Sequence, residues 1–117
     1  MLIRNITKNR IIAGDARLCE NILLKFVGLM FTKKQKTLIL AFNKEKIISL
    51  HMLFVFYPID VLFLDKNKVV VDKNDNFKPF TFYKSKRKAK YAVEIVNGAI
   101  KKTKTGIGDK IKLQAGF

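Results

Sequence analysis

The chain has a single cysteine, Cys19, and a single histidine, His51, among its 117 residues. A lone cysteine forms no internal disulfide and fits a reducing compartment, so we expect a cytoplasmic protein. One cysteine and one histidine do not fill a four-ligand metal site without carboxylates, and we expect neither a metal nor a cofactor. The first residues contain no apolar run that ends in a small-residue cleavage site, so no secretory signal is expected.

Acidic residues are also scarce, with nine against 24 basic ones, and the formal net charge is +15. Heat-adapted proteins enrich glutamate together with lysine, but only three glutamates occur here, so the excess does not indicate a balanced ion-pair surface. A positive field of this size attracts polyanions. Arginine is rare, at four against 20 lysines, which argues against bidentate reading of base edges. The alternative, that the lysines reflect genome composition, stays open.

Long uninterrupted apolar runs are absent as well. A membrane-spanning helix needs about 20 apolar residues, and the longest apolar stretch, residues 49–65, is broken by Pro58 and Asp60. We therefore expect no membrane association. Because proline does not donate to a central ladder, Pro58 should separate two strands, Leu50–Phe56 and Ile59–Leu64.

The rest of the chain shows mostly strand patterns. From Ala16 to Met30 the apolar residues, Cys19 among them, recur at helical spacing, and we expect one short helix near Asn21–Val27. Asp72–Asn76 should be a polar loop. Further strands are expected at Leu2–Ile6, Arg10–Ala13, Thr37–Phe42, Tyr91–Val96 and Lys110–Leu113. The chain should thus form one domain, residues 1–117, with a mainly β fold of about eight or nine strands and one helix, built as a compact sandwich or barrel.

Five sequence blocks follow one another in an order that resembles a known family. They are FVGLMF, SLHMLFVFYPIDVLFLD, FKPFTFY, AKYAVEIVNGAI and GIGDKI, at residues 26–31, 49–65, 77–83, 89–100 and 106–111. They are similar to the domain-of-unknown-function family 192, also called uncharacterised protein family 0127, and to its archaeal branch in particular. The resemblance implies a jelly-roll-like sandwich or distorted barrel with one helix, and it implies no established activity.

Positions that match the family's recurrent motif are Gly28, Leu29, Met30, Met52, Pro58, Asp60, Asp65, Glu94, Gly98, Gly108 and Asp109. Many bacterial relatives have a Trp-Met-Lys-Asn segment where this chain has His51, Met52, Leu53 and Phe54. The resemblance therefore does not imply, for this chain, a polar function of that segment.

His51 is a weak candidate for a catalytic base, because imidazole titrates near neutrality. A base needs a nucleophile or an orienting carboxylate within hydrogen-bond reach. Across a hairpin, Asp60 would lie about 13 Å from His51, at about 3.3 Å per residue. The favoured interpretation is a partly buried strand histidine. Cys19 is expected to behave as a small hydrophobe, without forming a dyad with His51.

Asp60 and Glu94 are the other weak catalytic candidates, because strands that are distant in sequence can bring two carboxylates into one cleft. Such a site would favour a small β-sandwich enzyme or a ligand-binding domain. The favoured alternative is that each carboxylate pairs with a lysine. Asp65 and Asp109 lie in turn-rich contexts and should cap backbone N–H groups.

Three basic segments, Lys33–Lys36, Lys84–Lys90 and Lys101–Lys104, carry charge that suits nucleic acid or another polyanion. In the second segment the expected contacts are Lys84, Lys86, Arg87, Lys88 and Lys90.

Aromatic residues precede the second basic segment at Phe80, Phe82 and Tyr83. Lysines beside aromatic rings suit single-stranded nucleic acid, whose phosphates meet charge while its bases stack on rings. The favoured alternative buries these rings in the core. Two hypotheses therefore remain open, a basic module that binds polyanions and a domain with an acidic site.

Overall fold

Residues 1–21 and 36–115 are described by the structure, a computed structural model, and they form ten strands and one short helix. The strands are β1 (Leu2–Asn5), β2 (Arg10–Ala13), β3 (Arg17–Cys19), β4 (Leu38–Lys46), β5 (Ser49–His51), β6 (Ile59–Leu64), β7 (Val70–Phe77), β8 (Phe82–Lys84), β9 (Ala89–Val96) and β10 (Ile111–Gln114). The helix, α1 (Ala99–Thr103), lies between β9 and β10. Within these two ranges no helix is long and apolar enough to cross a membrane. The expected mainly β fold is confirmed.

The middle layer is a five-stranded sheet with strand order β3–β4–β9–β6–β7. In it β3 runs parallel to β4, and the other neighbours are antiparallel. All six residues of β6 are buried, as expected for a strand covered on both faces. The predicted strands Ile59–Leu64 and Tyr91–Val96 are confirmed, and Thr37–Phe42 coincides with the first part of β4.

Side chains alternate between the two faces of this sheet and form two cores. On the front face, Val61 and Phe63 pack with Leu50 of the two-stranded β5–β8 sheet. On the back face, Leu62 and Leu64 pack against residues of α1 and of a three-stranded sheet with the order β10–β1–β2. The strands predicted at Leu2–Ile6 and Arg10–Ala13 correspond to β1 and β2, which pair antiparallel in that sheet. The layers therefore stack as in a sandwich.

The predicted strand Leu50–Phe56 is wrong beyond His51, where β5 ends. Phe54 has a positive φ of 57°, which an extended strand does not allow. A turn results, in which the Val55 N–H donates to the Met52 carbonyl at 3.2 Å. Met52 and Val55 are nevertheless buried in the front core, so the apolar residues of this stretch are used in a turn rather than in a strand.

Two further local predictions are corrected. Cys19 belongs to strand β3 rather than to a helical pattern, and its partner in the register is Leu40. Asp72–Asn76 is part of β7 rather than a loop, since Asp72 is paired with Phe63 of β6. The predicted helix lies, except for Asn21, outside the described residues.

Candidate nucleic-acid interface

Asp60 is fully buried and its carboxylate accepts four hydrogen bonds. The donors are the backbone N–H groups of Asn76, Gly98 and Ile100 and the side-chain amide of Asn97, each at 3.0 Å. The carboxylate thus ties β7 and β6 to the start of α1. The expected lysine partner is wrong for this residue, because backbone and amide donors take its place.

Glu94 lies on the other face of the same sheet. In the register of β6 and β9, Asp60 is paired with Ile95 and Glu94 is paired with Val61. Because successive residues of a strand point to opposite faces, the Asp60 carboxylate lies on the back face and that of Glu94 on the front. The two acids therefore do not share a cleft, contrary to the acidic site that the sequence left open.

Burial dominates the chemistry of Glu94. It raises the pKa of this carboxyl from 4.5 to about 7. The pKa of the nearby Cys19 thiol is also raised, first by its own burial and then by the charge of Glu94. The pair expected between Glu94 and a lysine is not observed either, since the ion pair found in residues 1–21 and 36–115 joins Lys8 to Asp109.

His51 and Cys19 lie in different environments. The side chain of Cys19 is buried in the front core. His51 is half-buried on the outer side of β5, and its Nδ1 accepts a hydrogen bond from the Leu53 backbone N–H at 3.2 Å. The residues of the described ranges form no cluster of three or more His, Cys, Asp or Glu side chains that could hold a metal.

Asp109 and Asp65 cap turns, as predicted. The Asp109 carboxylate accepts hydrogen bonds from the side chains of Asn5 and Lys8, at 2.8 Å each, and from the Gly106 N–H at 2.9 Å. Burial alone would raise the pKa of Asp109, but these donors outweigh it, so the pKa lies below its ordinary value. Among the described residues, Asp65 accepts through Oδ1, from the backbone N–H groups of residues 67 and 69.

Most family-motif residues that the structure describes have structural roles of this kind. Met52 is buried in the front core, and Gly98 and Gly108 have φ angles of 94° and 95° that favour glycine. Gly28, Leu29 and Met30 lie outside the described residues.

The two-stranded sheet separates inward from outward side chains. Leu50 and Tyr83 are paired in its register and both pack into the front core. The Tyr83 hydroxyl donates to Asp72 at 2.8 Å, and burial together with this bond raises the pKa of Tyr83 to about 12. Phe82 and Lys84, on either side of Tyr83, therefore point outward. Phe82 is 70% exposed, so the prediction that this ring is buried is wrong.

Three more phenylalanines lie beside this sheet and are exposed. The Phe80 ring meets Phe56 and Phe54 edge to face, with ring centroids 5.5 and 6.2 Å apart. Two hydrogen bonds join the segments that carry them, from the Phe80 N–H to the Met52 carbonyl and from the Met52 N–H to the Thr81 carbonyl. We call Phe54, Phe56, Phe80 and Phe82 the aromatic patch. Sequence reasoning assigned these rings to strands or to the core, although the i, i+2 spacing of Phe82 and Lys84 could have placed both on one outer face.

The basic loop, residues 85–88, follows the two-stranded sheet and leads into β9. Buried Ser85 fixes its backbone, because its hydroxyl accepts from the Ile48 N–H at 2.9 Å and donates to the Arg87 carbonyl at 2.8 Å. The Lys86 N–H donates to Asp72 at 2.9 Å. The exposed side chains next to this anchored backbone are Lys84, Lys86, Arg87 and Lys88.

The other basic residues are placed differently. Lys90, half-buried on β9, has its ammonium 5.9 Å from the centroid of the Tyr91 ring. The exposed Lys101, Lys102 and Lys104 belong to α1 and its C-cap, and α1 packs on the back face. They do not share a surface with the basic loop, which follows the front sheet. Lys33–Lys36 lies, except for Lys36, outside the described residues.

Comparison with known proteins identifies the family to which this chain belongs. The DUF192 family model, described as "Uncharacterized ACR", matches residues 4–113. The chain belongs to the DUF192 family. A UPF0127 protein of Pyrococcus furiosus is 41% identical over 110 residues, covering 92% of this chain and 94% of its own length. One from Pyrococcus horikoshii is 36% identical over 113 residues, covering 95% and 97%. The resemblance seen in the sequence is confirmed.

Two solved structures share the DUF192 fold of this chain. A protein of unknown function from Novosphingobium aromaticivorans superimposes with a TM-score of 0.84 at 19% identity, covering 96% of this chain and 82% of that one. A protein from Sinorhizobium meliloti, described as a putative transcription regulator, gives 0.85 at 17% identity, with coverages of 95% and 89%. At these identities the likeness extends to the fold.

Proposed function

We propose that this DUF192 protein binds polyanions, nucleic acid in particular, through the basic loop and Lys84. The observation that supports the proposal is a run of exposed cationic side chains on a backbone that Ser85 and Asp72 hold in place. An anchored loop loses less conformational freedom on binding than a mobile one. The charges are therefore presented together rather than dispersed on flexible chain.

The chemistry of the loop suits phosphate contacts rather than base reading. Lys84 and the loop together have four exposed cations, and three of them are lysines, which bind phosphate as point charges. Phosphate contacts position a protein on nucleic acid without selecting a sequence. Binding should therefore be strong at low salt and indifferent to base order.

Salt dependence tests the proposal. Each phosphate contact contributes a slope of about −0.9 on duplex DNA and about −0.7 on single strands to the dependence of log affinity on log salt. Four contacts, one for each exposed cation of the basic loop and Lys84, would weaken duplex binding about 150-fold between 50 and 200 mM salt. Labelled oligonucleotides of two unrelated sequences, titrated at both concentrations, should give the same affinities and the same slope.

A matched pair of variants locates the site. The triple variant Lys86→Gln, Arg87→Gln, Lys88→Gln removes three charges from the basic loop. The control, Lys101→Gln, Lys102→Gln, Lys104→Gln, removes three from the back face. The first should reduce the magnitude of the duplex slope by about 2.7, and the second should leave it nearly unchanged. An absence of binding at 50 mM salt, or equal losses in both variants, would overturn the proposal.

A further inference from the structure

The aromatic patch is a feature of the surface that charge does not explain. Phe56, Phe80 and Phe82 are 62%, 50% and 70% exposed, although phenylalanine is among the residues that folding buries most often. Single exposed apolar residues are ordinary, but exposed rings in contact, as Phe80 is with Phe54 and Phe56, indicate a binding surface. Phe82 lies two residues beyond Phe80 along the chain. We infer that the aromatic patch is a stacking platform for unpaired bases, and that the protein prefers single-stranded nucleic acid to duplex; this rests on the proposed nucleic-acid binding.

The rings are held by structured backbone. Phe82 stands on strand β8, whose next residue, Tyr83, is anchored in the core by its hydrogen bond to Asp72. Phe80 has a positive φ of 61°, and its N–H is fixed to the Met52 carbonyl at 2.7 Å. A ring on a fixed backbone gives up little freedom when a base stacks on it.

Charge complementarity favours nucleic acid as the occupant. Phe82 and Lys84 are two residues apart on the outer face of β8, about 7 Å at about 3.3 Å per residue, and the basic loop begins directly after Lys84. Rings that stack on bases beside cations that meet phosphates are the combination by which proteins bind single strands. In a duplex the bases are stacked on each other, so the rings would contribute little and only the charges would act.

Two probes separate stacking from charge. The first is a single-stranded oligothymidine, and the second is an oligonucleotide of the same length made of abasic sites, which keeps the phosphates and lacks the bases. Stacking is worth about 1–3 kcal/mol per base, so wild-type protein should bind the abasic strand about 5- to 150-fold more weakly. The variant Phe82→Leu should weaken binding of oligothymidine within the same range and leave binding of the abasic strand unchanged. Ile107→Ala, which shortens an apolar residue that is 64% exposed in another loop, is the control and should bind as wild type does.

A fluorescence measurement reports on the contact directly. The chain has no tryptophan, so Phe82→Trp introduces a single one within the proposed contact. Oligothymidine should quench its emission, whereas the abasic strand and inorganic polyphosphate should not.

The possible outcomes distinguish the two proposals. Salt-dependent binding with equal affinity for both strands, and no effect of Phe82→Leu, would overturn the stacking platform and leave the proposed polyanion binding standing. No binding of any oligonucleotide at 50 mM salt would overturn both. If the introduced tryptophan changes its emission with protein concentration but not with oligothymidine, the patch contacts a second copy of the chain and the inference is wrong.

Discussion

Asp60 and Glu94 project from opposite faces of the central sheet, although their positions in the register of β6 and β9 differ by one residue. The Asp60 carboxylate is satisfied by four donors. In the described part of the chain, the structure shows no hydrogen bond to the Glu94 carboxylate, whose chemistry is governed by burial. Hydrogen bonding therefore governs the contribution of Asp60 to stability, whereas burial governs that of Glu94. The two contributions can be tested separately.

Replacing Asp60 with asparagine should destabilise the protein. Each carboxylate oxygen accepts two hydrogen bonds. In Asp60→Asn an NH2 group replaces one of these oxygens, so two N–H donors face another donor and lose their acceptor. We expect a loss of about 2 to 3 kcal/mol in the free energy of unfolding, measured by urea denaturation. Asp65→Asn is the matched control. Its two hydrogen bonds use one oxygen, which an amide retains, so its loss should stay below about 1 kcal/mol.

Glu94 should make stability depend on pH. Its pKa is raised in the folded state, so the folded protein holds the proton more tightly than the unfolded chain does. This stabilisation is complete below the unfolded value of 4.5 and is lost as the pH rises through about 7. A shift of this size corresponds to about 3 kcal/mol. The variant Glu94→Gln cannot ionise, so its unfolding free energy relative to wild type should increase by most of that amount between pH 5 and pH 8, since part is already lost at pH 5. A difference that is constant with pH would contradict the burial argument.

The opposite dependence is expected for Asp109, whose pKa is lowered in the folded state. The ionised form is favoured there, so its contribution is present above the ordinary value of 3.8 and disappears as the pH falls through the lower folded-state value. Asp109→Asn should cost about 2 kcal/mol at pH 7, and the cost should shrink on acidification. Denaturation curves of both proteins at pH 7 and pH 3 measure this, and an unchanged cost at pH 3 would contradict it.

The sequence predicted elements whose pattern is local. Ile59–Leu64 is apolar on both faces and is indeed the central buried strand. The strand predicted at Leu50–Phe56 is wrong beyond His51 because an apolar run carries no sequence signal for the left-handed backbone of Phe54. The polar residues Asp72–Asn76 were misread as a loop because β7 is an edge strand and only partly covered. The cysteine was misplaced because a three-residue strand is too short to show a period of two.

In the candidate site, too, some features could be predicted from local sequence and others could not. The exposure of the basic loop followed from its charge. The exposure of Phe82 did not, because a ring next to a core residue is expected inside unless the register of its strand is known. The partners of Asp60 lie between 16 and 40 residues away along the chain, so neither they nor the missing lysine could be read from local spacing.

The anchoring of the basic loop gives a final prediction about binding. In Ser85→Ala the buried Ile48 N–H loses its acceptor and the Arg87 carbonyl loses its donor. The loop is then held less firmly, by the remaining backbone bonds from Ser85 to Ile48 and from Lys86 to Asp72, while every cation is kept. Affinity for oligonucleotides should fall about 2- to 10-fold, because the freed side chains must be ordered on binding. The salt slope should not change, because the number of phosphate contacts is the same.

Thr7→Ala serves as the control. It removes a hydroxyl in another part of the surface that accepts a single backbone bond, from the Lys110 N–H. Binding is measured well below the unfolding temperature of each variant. A slope reduced as in the triple variant of the basic loop would show that Ser85 helps to form the contacts themselves. An unchanged affinity would show that the loop needs no anchoring.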